Sequence, residues 1–128
     1  MSTELGRLLI VDDEPDIARI AKMMAMDIGY VARVVERSAD FEPILSEWRP
    51  TVILLDIIMP ERDGLELLGA LQQHDFRGPL IMMSGADPIY LNMAAASAKA
   101  RGLNLAHTLS KPFRKEQLQS LLQGLATH

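Results

Sequence analysis

Short runs of apolar residues recur along the chain. Three of them, residues 8–11, 52–55 and 80–83, contain no polar residue, and two weaker runs span residues 31–35 and 105–109. Uninterrupted apolar runs of about four to eight residues are typical of strands that other elements cover on both faces, as in parallel sheets. The pattern therefore predicts five strands.

The segments between these runs have helical patterns. Apolar residues in the first segment recur at helical spacing and predict one buried stripe, made of Ile17, Ile20, Ala21, Met24 and Ile28. Pro15 is suited to the first turn of this helix and Gly29 to its end. Ser38 is a candidate N-cap for a second helix that runs to Trp48 and stops at residues 49–50.

Three further helices complete the alternation. Asp87 and Pro88 read as the N-cap and first residue of the fourth helix, which continues to Arg101 and ends at Gly102. The third and fifth helices are marked by leucines at helical spacing: Leu65, Leu68 and Leu71, then Leu118, Leu121, Leu122 and Leu125. Five alternating β–α units predict a parallel sheet with helices on both faces and right-handed crossovers.

Composition narrows the class of protein. The 128 residues fit one domain, expected over residues 1–128 with a core of about 7–125, and no linker or repeat divides them. A net charge of −4 and the lack of a basic block argue against direct binding to nucleic acid or to an anionic membrane. Cysteine is absent, and neither a signal peptide nor a long apolar span is present, so a soluble cytoplasmic protein is expected.

Polar residues follow four of the five apolar runs. These residues are Asp12, Asp13, Asp56, Ser84 and Lys111. Because ligands of open parallel sheets bind beyond the carboxyl ends of the strands, we expect these side chains to meet at one edge. An aspartate after a strand is often only a loop residue or a helix cap, so the prediction depends on the joint arrangement.

Three carboxylates at one place repel one another unless a cation or protons compensate for their charge. Oxygen ligands favour a hard cation, Mg²⁺ first. Mg²⁺ with a lysine and a hydroxyl suits the transfer of a phosphoryl group, which requires positioning and neutralisation of charge. Asp56 is the candidate nucleophile because its strand is apolar and central, and Asp12 and Asp13 are the candidate metal ligands.

At this point the sequence resembles the receiver domains of two-component response regulators, such as the chemotaxis regulator. The order and spacing of five motifs match from about Arg7 to Leu125; the motifs occupy residues 11–15, 54–60, 63–64, 83–86 and 110–113. The resemblance implies a flavodoxin-like (βα)5 three-layer sandwich with strand order 2-1-3-4-5. It also implies that residues 59–60 and 63–64 shape the loop after Asp56.

The resemblance assigns roles to the site residues. Asp56 would be the phosphoacceptor, Asp13 a direct Mg²⁺ ligand, Asp12 a ligand through water, and the backbone carbonyl of Ile58 a further ligand. Ser84 would bind the phosphoryl group and shift as a switch, and Lys111 would pair with the phosphoryl oxygens or, before transfer, with Asp56. The bond between Lys111 and Pro112 is expected to be cis, as in the family.

The resemblance also implies partners. A sensor histidine kinase or a histidine phosphotransfer protein would supply the phosphoryl group. The face of the fourth helix, fifth strand and fifth helix would contact a downstream protein, a linked output domain or a second copy in a homodimer.

Many relatives have an aromatic switch residue three positions before the lysine, where this chain has Thr108 beside His107. Apolar Ile58 and Ala86 predict a long-lived phosphorylated state.

Two other classes of protein share part of this pattern. A haloacid-dehalogenase-type phosphatase also uses aspartate, lysine and Mg²⁺, but its nucleophile follows the first strand in an Asp-x-Asp pattern, and Asp56 would be idle. A pseudo-receiver keeps the fold without phosphorylation and normally lacks an acid or the lysine. The prediction is a signalling domain that catalyses only its own phosphorylation and dephosphorylation, either as a stand-alone protein or as part of a longer chain.

Overall fold

The computed structural model describes residues 5–58, 64–85 and 88–126, and in these ranges five strands alternate with five helices. The strands are β1 (Gly6–Val11), β2 (Tyr30–Val35), β3 (Val52–Asp56), β4 (Leu80–Ser84) and β5 (Leu105–Ser110). The helices are α1 (Pro15–Asp27), α2 (Phe41–Trp48), α3 (Gly64–Gln73), α4 (Pro88–Ala100) and α5 (Lys115–Gly124).

The strands form one parallel sheet in the order β2-β1-β3-β4-β5. This confirms the predicted fold class and strand order. Helices α1 and α5 pack on one face of the sheet, and α2, α3 and α4 pack on the other. The five residues of β3 are all buried, which agrees with an apolar run in the centre of a doubly covered sheet.

The predicted buried stripe of α1 is partly wrong. The residues buried against the sheet are Ala18, Ala21 and Ala25, whereas Ile20 is 48% exposed. Small side chains let the helix axis approach the sheet closely, so the alanines take the inner face and the larger residues lie on its flanks. A prediction from hydrophobicity alone therefore placed the buried face of α1 about one helical position away from the face that contacts the sheet.

The second helix begins later than the sequence suggested. Ser38 is not its N-cap; it starts a short 3-10 turn (Ser38–Asp40), and α2 follows with the buried ring of Phe41 as its first residue. The turn places this ring in the core. Arg49 ends α2 in a left-handed conformation with φ of 55°, next to Pro50.

The other helix ends agree closely with the sequence. Gly29 and Gly102 both have positive φ, 108° and 77°, where only glycine avoids steric strain. Helix α4 ends at Ala100, one residue before the predicted Arg101.

Several predictions fall outside the described residues: the roles of Met59, Pro60, Asp63, Ala86 and Asp87, and the side chain of Leu65. None of the helices in the described part of the chain is long and apolar enough to cross a membrane.

Candidate functional site

The carboxyl ends of β1, β3, β4 and β5 bring the candidate residues to one edge of the sheet. Strands β1 and β3 are neighbours in the sheet although β2 lies between them in the chain. The connection after β1 therefore leads to one side of the sheet, towards β2, and the connection after β3 leads to the other side, towards β4. Such a topological switch point opens a crevice at the ends of the strands. Asp12 and Asp56 lie on its two sides.

Lys111 is the centre of this cluster. Its Nζ lies 2.9 Å from Asp56 Oδ2, 2.8 Å from Asp12 Oδ2 and 3.1 Å from Glu14 Oε1. Only 7% of the lysine side chain is exposed. The lysine sits at the end of β5, and the Lys111–Pro112 peptide bond is cis, as predicted. Its backbone N–H donates to the carbonyl of Ser84, which ties this loop to the end of β4.

Asp12 is completely buried and is fixed by the turn that leads into α1. Its backbone N–H donates to the carbonyl of Val35, and its Oδ1 accepts a hydrogen bond from the N–H of Glu14. Its Oδ2 is buried and lies 2.8 Å from Lys111 Nζ, with which it forms an ion pair. Asp12 and Asp56 therefore share one ammonium group as their counter-charge.

Asp56 has a different environment. Its Oδ1 accepts a hydrogen bond from the backbone N–H of Ile58 at 3.0 Å, and its Oδ2 accepts one from Lys111. Burial raises the pKa of Asp56, and these two hydrogen bonds counteract part of that rise. Burial alone would lower the pKa of Lys111, but the ion pairs with Asp12 and Asp56 outweigh it and hold that pKa above its usual value. The lysine therefore stays charged at neutral pH.

The acidic cluster can bind a metal ion. One carboxylate oxygen from each of Asp12, Asp13 and Asp56 lies within 4.8 Å of the others. All the candidate ligand atoms are carboxylate oxygens. An all-oxygen donor set in which two buried carboxylates share a single lysine fits a hard divalent cation.

The remaining predicted residues are placed as follows. Ser84 is buried at the end of β4, directly beside β3. The side chain of Ile58 is exposed at the start of the loop after β3. Thr108 and His107 are both exposed on β5, the edge strand. The register between β4 and β5 shifts by one residue near Leu80 and is regular from His107 onwards.

Sequence reasoning missed Glu14. It read this residue only as part of the acidic motif before Pro15, yet its carboxylate reaches Lys111, 97 positions further along the chain. The signal in the sequence was a third acidic residue directly after Asp12 and Asp13. Predicting its contact required knowing that the ends of β1 and β5 face each other across the crevice.

The chain belongs to the response regulator receiver domain family, whose family model matches residues 8–123. The fold, the strand order and the acid–lysine cluster agree with that membership. Receiver domains are the signalling domains of two-component response regulators, in which they work with histidine kinases and output domains.

Similarity to individual proteins is moderate. The transcriptional regulatory protein TrcR of Mycobacterium tuberculosis is 29% identical over 93% of this chain and 44% of its own length. The uncharacterized transcriptional regulatory protein YkoG of Bacillus subtilis is 30% identical over 94% of this chain and 51% of its own length. The chain thus spans about half the length of these relatives. The crystal structure of a response regulator from Colwellia psychrerythraea superposes with a TM-score of 0.81 at 29% identity and covers 95% of this chain and 97% of its own.

Proposed function

We propose that this chain is a phosphoacceptor receiver domain in which Asp56 takes a phosphoryl group in a Mg²⁺-dependent reaction. The observation that carries the proposal is the 2.9 Å contact between Lys111 Nζ and the Asp56 carboxylate, within reach of two further aspartates. The donor is a phosphohistidine of a sensor histidine kinase or of a phosphotransfer protein. Residues 1–128 act as a single domain of this kind, in the cytoplasm where such kinases present their phosphohistidine.

The chemistry follows from the positions of the residues. An oxygen of Asp56 attacks phosphorus, the bond from phosphorus to the donor's imidazole nitrogen breaks, and the imidazole leaves with the electron pair. Lys111 neutralises charge on the phosphoryl oxygens, and Ser84 donates its hydroxyl to another of them. Asp13, Asp56 and the Ile58 carbonyl would hold Mg²⁺ directly and Asp12 through water; the bound ion supplies further charge neutralisation.

The switch operates through Ser84 and the face formed by α4, β5 and α5. On α4, Ile89 and Met93 are 66% and 63% exposed, an apolar surface suited to a protein partner or a second copy of the chain. Thr108 stands where many relatives have an aromatic residue. The shift of Ser84 therefore has to be transmitted to this face without an aromatic ring that turns inward. The conformational change is a population shift biased by the charge on Asp56.

Two rival functions are less well supported. In a haloacid-dehalogenase-type phosphatase Asp56 would be idle, yet here it is buried in the cluster and paired with the lysine. A pseudo-receiver would not need an acid triad together with the lysine. The chain therefore turns over only its own phosphoryl group and is not an enzyme acting on a separate substrate.

The test is incubation of the protein with acetyl phosphate and Mg²⁺, followed by intact mass measurement. We expect one added phosphoryl group on the wild type and none on Asp56→Asn. Asp75→Asn is the matched control, because it makes the same chemical change at an exposed position and should label like the wild type. An unlabelled wild type, or a label that persists in Asp56→Asn, would refute the proposal.

The lifetime of the acyl phosphate provides a second test. The exposed side chain of Ile58 lies two residues after Asp56, and it offers no hydrogen bond to an attacking water. We expect the phosphorylated protein to decay slowly, and Ile58→Asn, which adds a polar group there, to decay faster. Decay of the wild type within seconds at room temperature would contradict this expectation.

A further inference from the structure

The amine of Lys111 is shared by three carboxylates that differ strongly in exposure. The side chains of Asp12 and Asp56 are 0% and 4% exposed, whereas that of Glu14 is 57% exposed. Glu14 therefore lies at the mouth of the site and the two aspartates lie beneath it. Of the three carboxylates, that of Glu14 is therefore the most accessible to solvent.

The backbone of Glu14 is held in place from both sides. Its N–H donates to Asp12 Oδ1, and its carbonyl accepts from Ala18 N–H in the first turn of α1. This anchoring puts the base of the side chain beside the loop that carries Lys111. The contact of 3.1 Å between Glu14 Oε1 and Lys111 Nζ is a charge-assisted hydrogen bond.

The lysine ammonium has three N–H donors, and three carboxylates surround it. A phosphoryl group on Asp56 also needs the ammonium, because the lysine has to neutralise its oxygens. An incoming phosphoryl group therefore competes with an existing partner for the amine. Glu14 is the weakest held of the three, since its carboxylate is the most exposed and the most screened by water.

We propose that Glu14 is a positioning residue, which holds the Lys111 amine in the unphosphorylated protein and competes with the phosphoryl oxygens for it. It thereby slows phosphorylation and favours the unphosphorylated state. This inference rests on the proposed function of Asp56 as phosphoacceptor. The exchange itself forms no covalent bond: Lys111 gives up one hydrogen bond to Glu14 and gains one to a phosphoryl oxygen.

The test compares Glu14→Gln, Glu14→Asp and the control Glu47→Gln, an equal loss of charge on an exposed residue of α2. Labelling by acetyl phosphate is followed at saturating Mg²⁺, so that changes in metal affinity do not enter. We expect Glu14→Gln to label faster by about threefold, the scale of an exposed ion pair. Glu14→Asp is about 1.5 Å shorter, keeps the charge but loses the reach, and should also label faster. Glu47→Gln should match the wild type.

A second readout uses the metal-free protein without phosphodonor. The Lys111 ammonium protons should exchange with water faster in Glu14→Gln than in the wild type, again by about threefold, because a neutral amide oxygen is a weaker acceptor than a carboxylate. Unchanged labelling and exchange in Glu14→Gln would overturn the inference. So would a Glu14→Asp variant that labels at the wild-type rate, since charge alone would then be responsible. Failure of the wild type to label at all would instead refute the proposed function.

Discussion

At the scale of single residues, the positive charge of one amine compensates the negative charges of several carboxylates in the site. Asp12 and Asp56 are both buried, and removal of two carboxylates from water is costly unless a cation accompanies them. Lys111 is the cation that the described residues supply. The same lysine therefore serves the stability of the unphosphorylated protein and the charge neutralisation proposed for transfer.

Removal of that amine should destabilise the metal-free protein in a pH-dependent way. We expect Lys111→Met to lose about 3 kcal/mol of unfolding free energy at pH 7, the usual cost of one missing partner in a buried pair. Burial already raises the pKa of Asp56, and loss of the lysine removes its main counterweight, so this pKa rises further. When the pKa of Asp56 is raised in the native state, the free energy of unfolding falls as the pH rises through that native pKa. Below the unfolded value of 3.8 the raised pKa has no effect on stability.

The measurement is urea denaturation with EDTA at a series of pH values between about 4 and 8. The difference between wild type and Lys111→Met should shrink as the pH is lowered, because Asp56 takes up a proton in the variant. The double variant Asp56→Asn with Lys111→Met is the control, and its deficit should be smaller at pH 7. A deficit that stays constant across the pH range would show that packing, not charge, is responsible.

At the scale of elements, the sequence predicted what depends on local pattern and missed what depends on neighbours. The five strands, the order of the helices and the end at Gly102 follow from apolar runs and backbone preferences. The inward face of α1 does not, because closeness to the sheet selects Ala18 over Ile20. In the site, residues that directly follow strands were predictable, whereas the reach of Glu14 to Lys111 depends on how two distant loops face each other.

A hydrogen bond from Tyr30 ties β2 to α5. The hydroxyl donates to the carbonyl of Leu122, and burial raises the pKa of Tyr30 to about 12 from the ordinary 10.0. The unfolded tyrosine ionises first, so its contribution to stability is complete below pH 10 and is lost as the pH rises through about 12. The wild type should lose about 2.7 kcal/mol from this residue between pH 10 and about 12.

The variant Tyr30→Phe should lack this alkaline component and lose about 1 kcal/mol at pH 7 with the hydrogen bond. Chemical denaturation at pH values from 7 to about 12 measures both effects. The matched control is Tyr90→Phe at the other tyrosine of the chain, which is only partly buried and should keep the wild-type slope. If Tyr30→Phe and the wild type lose stability in parallel, the buried hydroxyl is not the titrating group.

Two glycines should respond to alanine in opposite directions. A Cβ at Gly78 would lie 2.4 Å from the carbonyl oxygen of Thr51 and 2.8 Å from the ring of Phe76, where the loops before β3 and β4 meet. We expect Gly78→Ala to destabilise by about 1–3 kcal/mol through overpacking. At Gly69 in α3 the nearest atom is 3.6 Å away, so Gly69→Ala should stabilise by about 0.5–1 kcal/mol. Thermal unfolding of both variants measures the difference, and stability changes of the same sign in the two variants would contradict these contacts.

At the scale of the whole molecule, stability and the candidate site are concentrated at different places. The core lies on the two covered faces of the sheet, whereas the carboxylates gather at one edge, where their mutual repulsion weakens the fold. A cation bound there should relieve the repulsion and stabilise the native state only, because the unfolded chain does not hold the three aspartates together. Binding of Mg²⁺ should therefore be visible in global unfolding without any phosphodonor.

Asp13→Asn should separate the two contributions of the acidic cluster. In EDTA the variant should melt above the wild type, because one of three repelling charges has gone. In Mg²⁺ the order should reverse: the wild type gains about 2.7 kcal/mol when the ion is at 100 times its dissociation constant, and the variant, with a ligand missing, gains less. Thermal unfolding is followed in EDTA and in Mg²⁺ at equal ionic strength, with Asp75→Asn as the exposed control. An equal Mg²⁺ shift in all three proteins would mean that the ion does not bind at this edge of the sheet.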